Sequence, residues 1–333
     1  MLLTGIEKAL SLDPLEINRR LRRRLSRGEF TALAVCITII VLSVIIYAKL
    51  EVVPNDYFSY LRTAHSDFSE NYYPYWIIPV FWLFDQLPLM VGYVIWDVLI
   101  LLGVFLGARA FGGKAALALL TFQMFYVLFL GQIIGILIGG LGLMWWGLAN
   151  RRWHIAGLGL ILASTKFQSG LALGLLLLLF ADLSWRQRLR VLVVPAVVVA
   201  ISLAMRPSWP LELLATLKGN PPYDWGSISL WRWFGPAALL LWLPPLLLPL
   251  TRPARFLALA STLALTAPYF QQTDLLALFV FPVGWLPVVL GNLGFLFFRF
   301  YWDALQALFV IPLLLYLAIM LPAAVKRIKQ ANE

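Results

Sequence analysis

Asp56 follows the apolar run 30–49 almost at once, after Pro54 and Asn55, in the stretch VVPNDYFSYLRTAHSDFSENYYPYW at residues 52–76. A carboxylate held at a boundary between lipid and water is partly desolvated, which raises its pKa toward the range of a general base. The same spacing suits an N-cap for a short helix over DYFSYL, because an Asp side chain accepts from the first free backbone N–H groups. Asp67 and Glu70 stand next in line for the same work, and Glu51, Asp85, Glu212, Asp224 and Asp274 are expected at the same face. Lys166 sits between two apolar half-spans in LILASTKFQSGLALG. A charge within a membrane is a functional hypothesis by default, with snorkelling to the headgroups as the competing reading. A second cationic group, Arg206, Lys218 and Arg232, lies among RPSW and SLWRWFG, where a lipid phosphate would suit it.

No metal or cofactor chemistry is expected from the motifs. His65 and His154 fall on opposite faces in the topology below, no HExxH or acidic ligand pair occurs, and the single cysteine, Cys36, lies inside an apolar run. GQIIGILIGGLG is glycine-rich but apolar, which reads as close helix packing rather than a phosphate loop.

These residues need elements to position them. The 333 residues are 62% hydrophobic and 13% charged, with a mean hydropathy of +0.85, whereas soluble domains carry about 25% charged residues. The expectation is an all-α, polytopic transmembrane bundle of ten to twelve spans, forming one domain over 30–325. A basic arm (1–29) and a short tail (326–333) would flank it on the cytoplasmic side of the cell membrane. The arm could lie as an interfacial helix on anionic lipid or serve as a simple topogenic tail. The net charge of +10 comes in short clusters between apolar runs, so it marks orientation rather than nucleic-acid binding. The positive-inside rule then puts two large loops, 52–88 and 206–233, on the outer face. It accounts for the Lys and Arg residues except Lys49, Arg62, Lys166, Arg206, Lys218, Arg232 and Arg299.

The order of several short motifs resembles glycosyltransferase family 87, multipass enzymes of the GT-C superfamily that use polyprenyl-phosphate sugars. The motifs are an early Asp after the first span, YPY opening a juxtamembrane helix, LGQ, AGLGLILASTKFQSG, GSISLWRWFG and APYFQQTDLLALFVFP. Two positions depart from the family pattern: YPY stands for YPP, and Gln271 and Gln272 stand where a histidine is common. The resemblance implies an inverting, metal-independent transfer of a hexose or pentose, mannose-like by preference, to a lipid or glycan acceptor at the outer face. Asp56 matches the catalytic carboxylate. Lys166, with at least one of Arg206, Lys218 and Arg232, would hold the donor phosphate, and Tyr57, Gln132, Gln168 and Asp274 would line the substrate site. The alternatives are a transporter or flippase for a lipid-linked sugar, which Asp97 in YVIWDVLILLG favours, and a noncatalytic membrane subunit.

Overall fold

A computed structural model describes residues 10–65, 72–219, 227–296 and 302–332. Asp67, Glu70, Asp224 and Arg299 lie outside the described residues. Among the described residues all regular structure is helical apart from one isolated antiparallel bridge, Ser227 to Gln271. The principal helices in chain order are α1 (Pro14–Arg22), α2 (Arg27–Leu50), α3 (Asn55–His65), α4 (Ile78–Asp85), α5 (Leu89–Phe111), α6 (Phe122–Leu130), α7 (Ile134–Ala149), α8 (Trp153–Ala163), α9 (Ala172–Phe180), α10 (Trp185–Met205), α11 (Trp209–Gly219), α12 (Arg252–Thr266) and α13 (Val310–Asn332).

Among the described residues, 4 helices are long and apolar enough to cross a membrane, or 5 if the bent pair α6 and α7 is one span. The expectation of ten to twelve full spans therefore differs from the structure. Much of the remaining apolar sequence is cut into shorter pieces such as α8 and the run Phe167–Phe180. The cuts fall at Thr121, whose side chain caps the start of α6, at Gly131, a left-handed glycine (φ +72°) that ends α6, and at Lys166, an extended residue ahead of the next turn.

Helix α2 explains how a continuous apolar run can have two sides. Ala32, Cys36, Ile40, Ser43 and Tyr47 recur at helical spacing and are buried, while Val35, Val41, Leu42 and Ile45 are exposed apolar side chains on the outside of the bundle. The glycine-rich run does pack helices closely. A Cβ at Gly103 of α5 would meet the Gly135 backbone of α7, and one at Gly140 would meet the Gly159 carbonyl of α8.

The two ends of helix α2 lead to different surroundings. At one end the basic arm is not a loose tail. Ile17 of α1 is fully buried, and Asn18 bonds to Trp146 (2.8 Å) and Asn150 (3.0 Å). Buried Arg109 then ties the arm down through Glu29 (3.0 Å) and the carbonyls of Arg23 (2.7 Å), Leu21 and Arg24 (3.3 Å each). A planar five-donor guanidinium can serve these acceptors together, whereas an ammonium cannot. Arg109→Lys is therefore expected to lower stability by about 1 to 3 kcal/mol, measured by thermal unfolding in detergent. An unchanged transition would mean that the carbonyl contacts add nothing.

Candidate active site

The other end of the bundle holds two cavities. The first, about 430 Å³, is lined by Tyr60, Tyr72, Tyr73, Lys166, Phe167, Gln168, Leu217, Pro268 and Tyr269, together with Gln132, Ile133 and Gln271. The second, about 410 Å³, is lined by Asn55, Asp56, Ser59, Arg62, Gln272 and Thr273, with Phe58, Tyr126, Leu130, Gln132 and Gln271. Gln132 and Gln271 therefore belong to the walls of both. Volumes of this size suit small-molecule sites.

Three helix breaks build the partition. The first is the 114° bend between α6 and α7, which would leave the last carbonyls of α6 unpaired. Ring side chains donate to carbonyls around the bend: Trp96 to that of Gly131 (2.8 Å), Tyr93 to that of Leu128 (2.6 Å), and Tyr47 to that of Phe129. The Tyr60 hydroxyl accepts the Ile133 N–H (3.1 Å). Satisfying the backbone in this way holds irregular chain inside an apolar body and fixes Gln132 between the cavities.

The second break carries Lys166, whose extended backbone (φ −127°, ψ 100°) leads into a π-helical turn at Phe167–Leu171. Such turns are frequent at functional sites. The third lies beyond α12, where Ser227 and Ile228 pair with Phe270 and Gln271. There Asp274 accepts the Gln271 N–H (3.1 Å) at the start of a 3-10 turn. The motifs GSISLWRWFG and APYFQQTD thus meet in space.

Asp56 lies within the first turn of α3, which begins at Asn55, rather than ahead of the helix as a cap. It lines the second cavity, and its Oδ2 is buried without a hydrogen-bond partner. Burial pushes its pKa above the ordinary carboxylate value, opposed by the Gln132 side chain and the Lys166 charge. Burial likewise pushes the phenols of Tyr60, Tyr73 and Tyr269 up from their ordinary value.

Of the four cations expected around a donor phosphate, only Lys166 lines either cavity. Lys166 and Gln168 line the first cavity, but the Lys166 ammonium is already paired with the fully buried Asp274 (2.6 Å) and bonded to Gln271 (3.3 Å). Asp274 is the counter-ion of Lys166, not a wall residue. Arg206 pairs with Glu212 (2.8 Å), and neither it, Lys218 nor Arg232 lines either cavity. Tyr57 is also corrected: it is 1% exposed and packs on Phe84, Tyr93 and Trp96 as part of the core. Its neighbours Tyr60, Tyr72 and Tyr73 hold the cavity positions instead.

Sequence reasoning missed Arg62, Thr273 and Gln271 as site residues. Arg62 could have been found from its three-residue spacing with Asp56 and Ser59 on one short helix, and Gln271 from its place in the motif APYFQQTD; for Thr273 no local signal exists. Among the described residues, no group of three or more His, Cys, Asp and Glu side chains could hold a metal ion.

No family model, curated protein or solved structure matches the chain.

Proposed function

We propose that the chain is a membrane glycosyltransferase that moves a sugar from a polyprenyl-phosphate donor to a hydroxyl acceptor, with inversion and with Asp56 as the base. The observation that carries this reading is an unpartnered buried carboxylate oxygen beside a wall shared by two cavities, one aromatic with a cation and one polar. The aromatic cavity suits the donor, since Tyr72, Tyr73 and Tyr269 offer rings and hydroxyls to a sugar and Lys166 offers charge to its phosphate.

In the reaction the acceptor hydroxyl loses its proton to Asp56 as its oxygen attacks the anomeric carbon. The bond from that carbon to the phosphate oxygen breaks, and polyprenyl monophosphate leaves. One carboxylate suffices, because the leaving phosphate needs no second acid. The growing negative charge on the leaving phosphate is met by the Lys166 ammonium, which stays paired with Asp274. Purified protein incubated with a panel of polyprenyl-phosphate sugars and a membrane extract should yield a glycosylated product by mass spectrometry; no product from any donor would sink the reading.

One observation favours a second reading. Asp97 is fully buried within α5 and both its oxygens lack hydrogen-bond partners, which is where a transporter would carry an ion-coupling carboxylate. Uptake of a lipid-linked sugar into vesicles that Asp97→Asn abolishes would support it.

The proposed face is testable apart from the chemistry. Ser227 is 1% exposed and bonded to Phe270, so it cannot report on topology, whereas Ser208 and Arg152 are exposed near opposite ends. In a Cys36→Ala background, Ser208→Cys should react with an impermeant maleimide in intact cells and Arg152→Cys only after permeabilisation. The reverse pattern would put the cavities on the cytoplasmic side.

A further inference from the structure

We infer that the polar cavity binds a saccharide carrying a carboxylate or phosphate group, and that Arg62 reads that charge. The inference rests on the transfer reading, since it names the acceptor class of the same site.

Two buried polar atoms in this cavity have no partner: Asp56 Oδ2 and Thr273 Oγ1, the latter on a residue 1% exposed. A buried polar atom left unpaired is unfavourable, so the site is built for something that supplies hydrogen bonds. A sugar hydroxyl fits both atoms, because it donates to a carboxylate and either donates to or accepts from a threonine hydroxyl. Asn55, Ser59 and Gln272 add further neutral donors and acceptors around them. An aliphatic lipid chain would leave all of these unsatisfied.

The charge of the ligand follows from the wall. Its two charged side chains are Asp56 and Arg62, both on α3. Six residues separate them, or about 9 Å of helical rise. Arg62 is exposed and has no acidic partner among the described residues. A guanidinium at the rim pairs in forked geometry with a carboxylate or phosphate. The spacing keeps that anion away from the Asp56 carboxylate, so the reacting hydroxyl and the acidic group belong to different parts of the ligand.

The test reads occupancy rather than turnover. Full-length protein carrying Cys36→Ala and Ser59→Cys is purified in detergent, and alkylation of the new thiol by maleimide is timed with methyl glucuronoside, methyl glucoside or inorganic phosphate present. The acidic glycoside should slow alkylation at lower concentration than the neutral one. Arg62→Gln should weaken protection by the acidic glycoside by about fivefold, the upper range for an exposed ion pair, and leave the neutral one unchanged. Arg62→Lys should retain part of the preference. Equal protection by both glycosides, an unchanged preference in Arg62→Gln, or equal protection by inorganic phosphate alone would each overturn the inference. Absence of any protection would do so too, since no saccharide then occupies the cavity. Protection without any sugar transfer would defeat the enzymatic reading and keep the binding site; transfer that depends on Asp56 without selective protection would do the opposite.

Discussion

Asp56→Asn is expected to reduce sugar transfer by about 10² to 10⁴-fold, the usual contribution of a general base. The amide keeps the size and most of the hydrogen bonding of the carboxyl group but cannot take a proton. Its effect on folding should run the other way. Burial raises the native pKa of Asp56, so the native state holds this proton more tightly than the unfolded chain does. That contribution to stability is complete below the unfolded carboxylate pKa and is lost as pH rises through the raised native value. At neutral pH the ionised, unpartnered oxygen therefore gives no benefit, and the asparagine variant should unfold at or above the wild-type temperature. The pH dependence follows from the same shift: kcat/KM should rise with pH through a value above the ordinary carboxylate range, and this limb should vanish in Asp56→Asn. Transfer retained above a tenth of wild type would remove Asp56 as the base, and a destabilised variant would mean that the carboxylate has a structural partner.

Lys166→Ala is expected to lower stability by about 3 to 5 kcal/mol, because it leaves the Asp274 carboxylate buried without its counter-ion. Asp274 is 0% exposed and lies 2.6 Å from the ammonium, while its other oxygen accepts the Gln271 N–H. Loss of transfer in Lys166→Ala would therefore report folding and donor binding together. Lys166→Met combined with Asp274→Asn separates them, since asparagine still accepts the backbone bond and methionine fills the stem's space. The double variant should recover most of the stability by thermal unfolding, as expected when a buried pair is replaced as a unit. It should still bind the polyprenyl-phosphate donor more than about tenfold more weakly, because the phosphate has lost its cation. Wild-type donor binding in the double variant would take Lys166 out of the phosphate site. A single variant as stable as wild type would show that Asp274 is not held as an anion.

The Asp56 prediction is already legible in the sequence, whereas the stability cost of Lys166→Ala is not, and the reason is distance along the chain. Lys166 and Asp274 are separated by 108 residues, and each reads locally as an unexplained charge in an apolar run. Hydropathy registers that burial of such a charge is unfavourable but not which partner offsets it. The same limit explains Tyr57 and Tyr60. They stand three residues apart on one amphipathic helix, yet the first enters a cage of Tyr93, Trp96 and Phe84 while the second stacks on Phe81 and reaches the cavity. Which side of a short helix faces a cavity depends on how the neighbouring helices lie against it.

What the sequence by itself determined is the class of structure and the break at Lys166. Apolar runs long enough to cross a membrane, basic clusters between them, and glycines at helical spacing act over one or two turns, so their consequences are local and legible. The break at Lys166 is legible for the same reason. Only the tertiary structure decided what the helix breaks present: the sharing of Gln132 and Gln271 by two cavities, the Lys166–Asp274 pair, and the docking of the basic arm on Arg109. Each joins segments distant in sequence, and each exists because a buried charge or an unpaired backbone group must find a partner wherever packing brings one within reach.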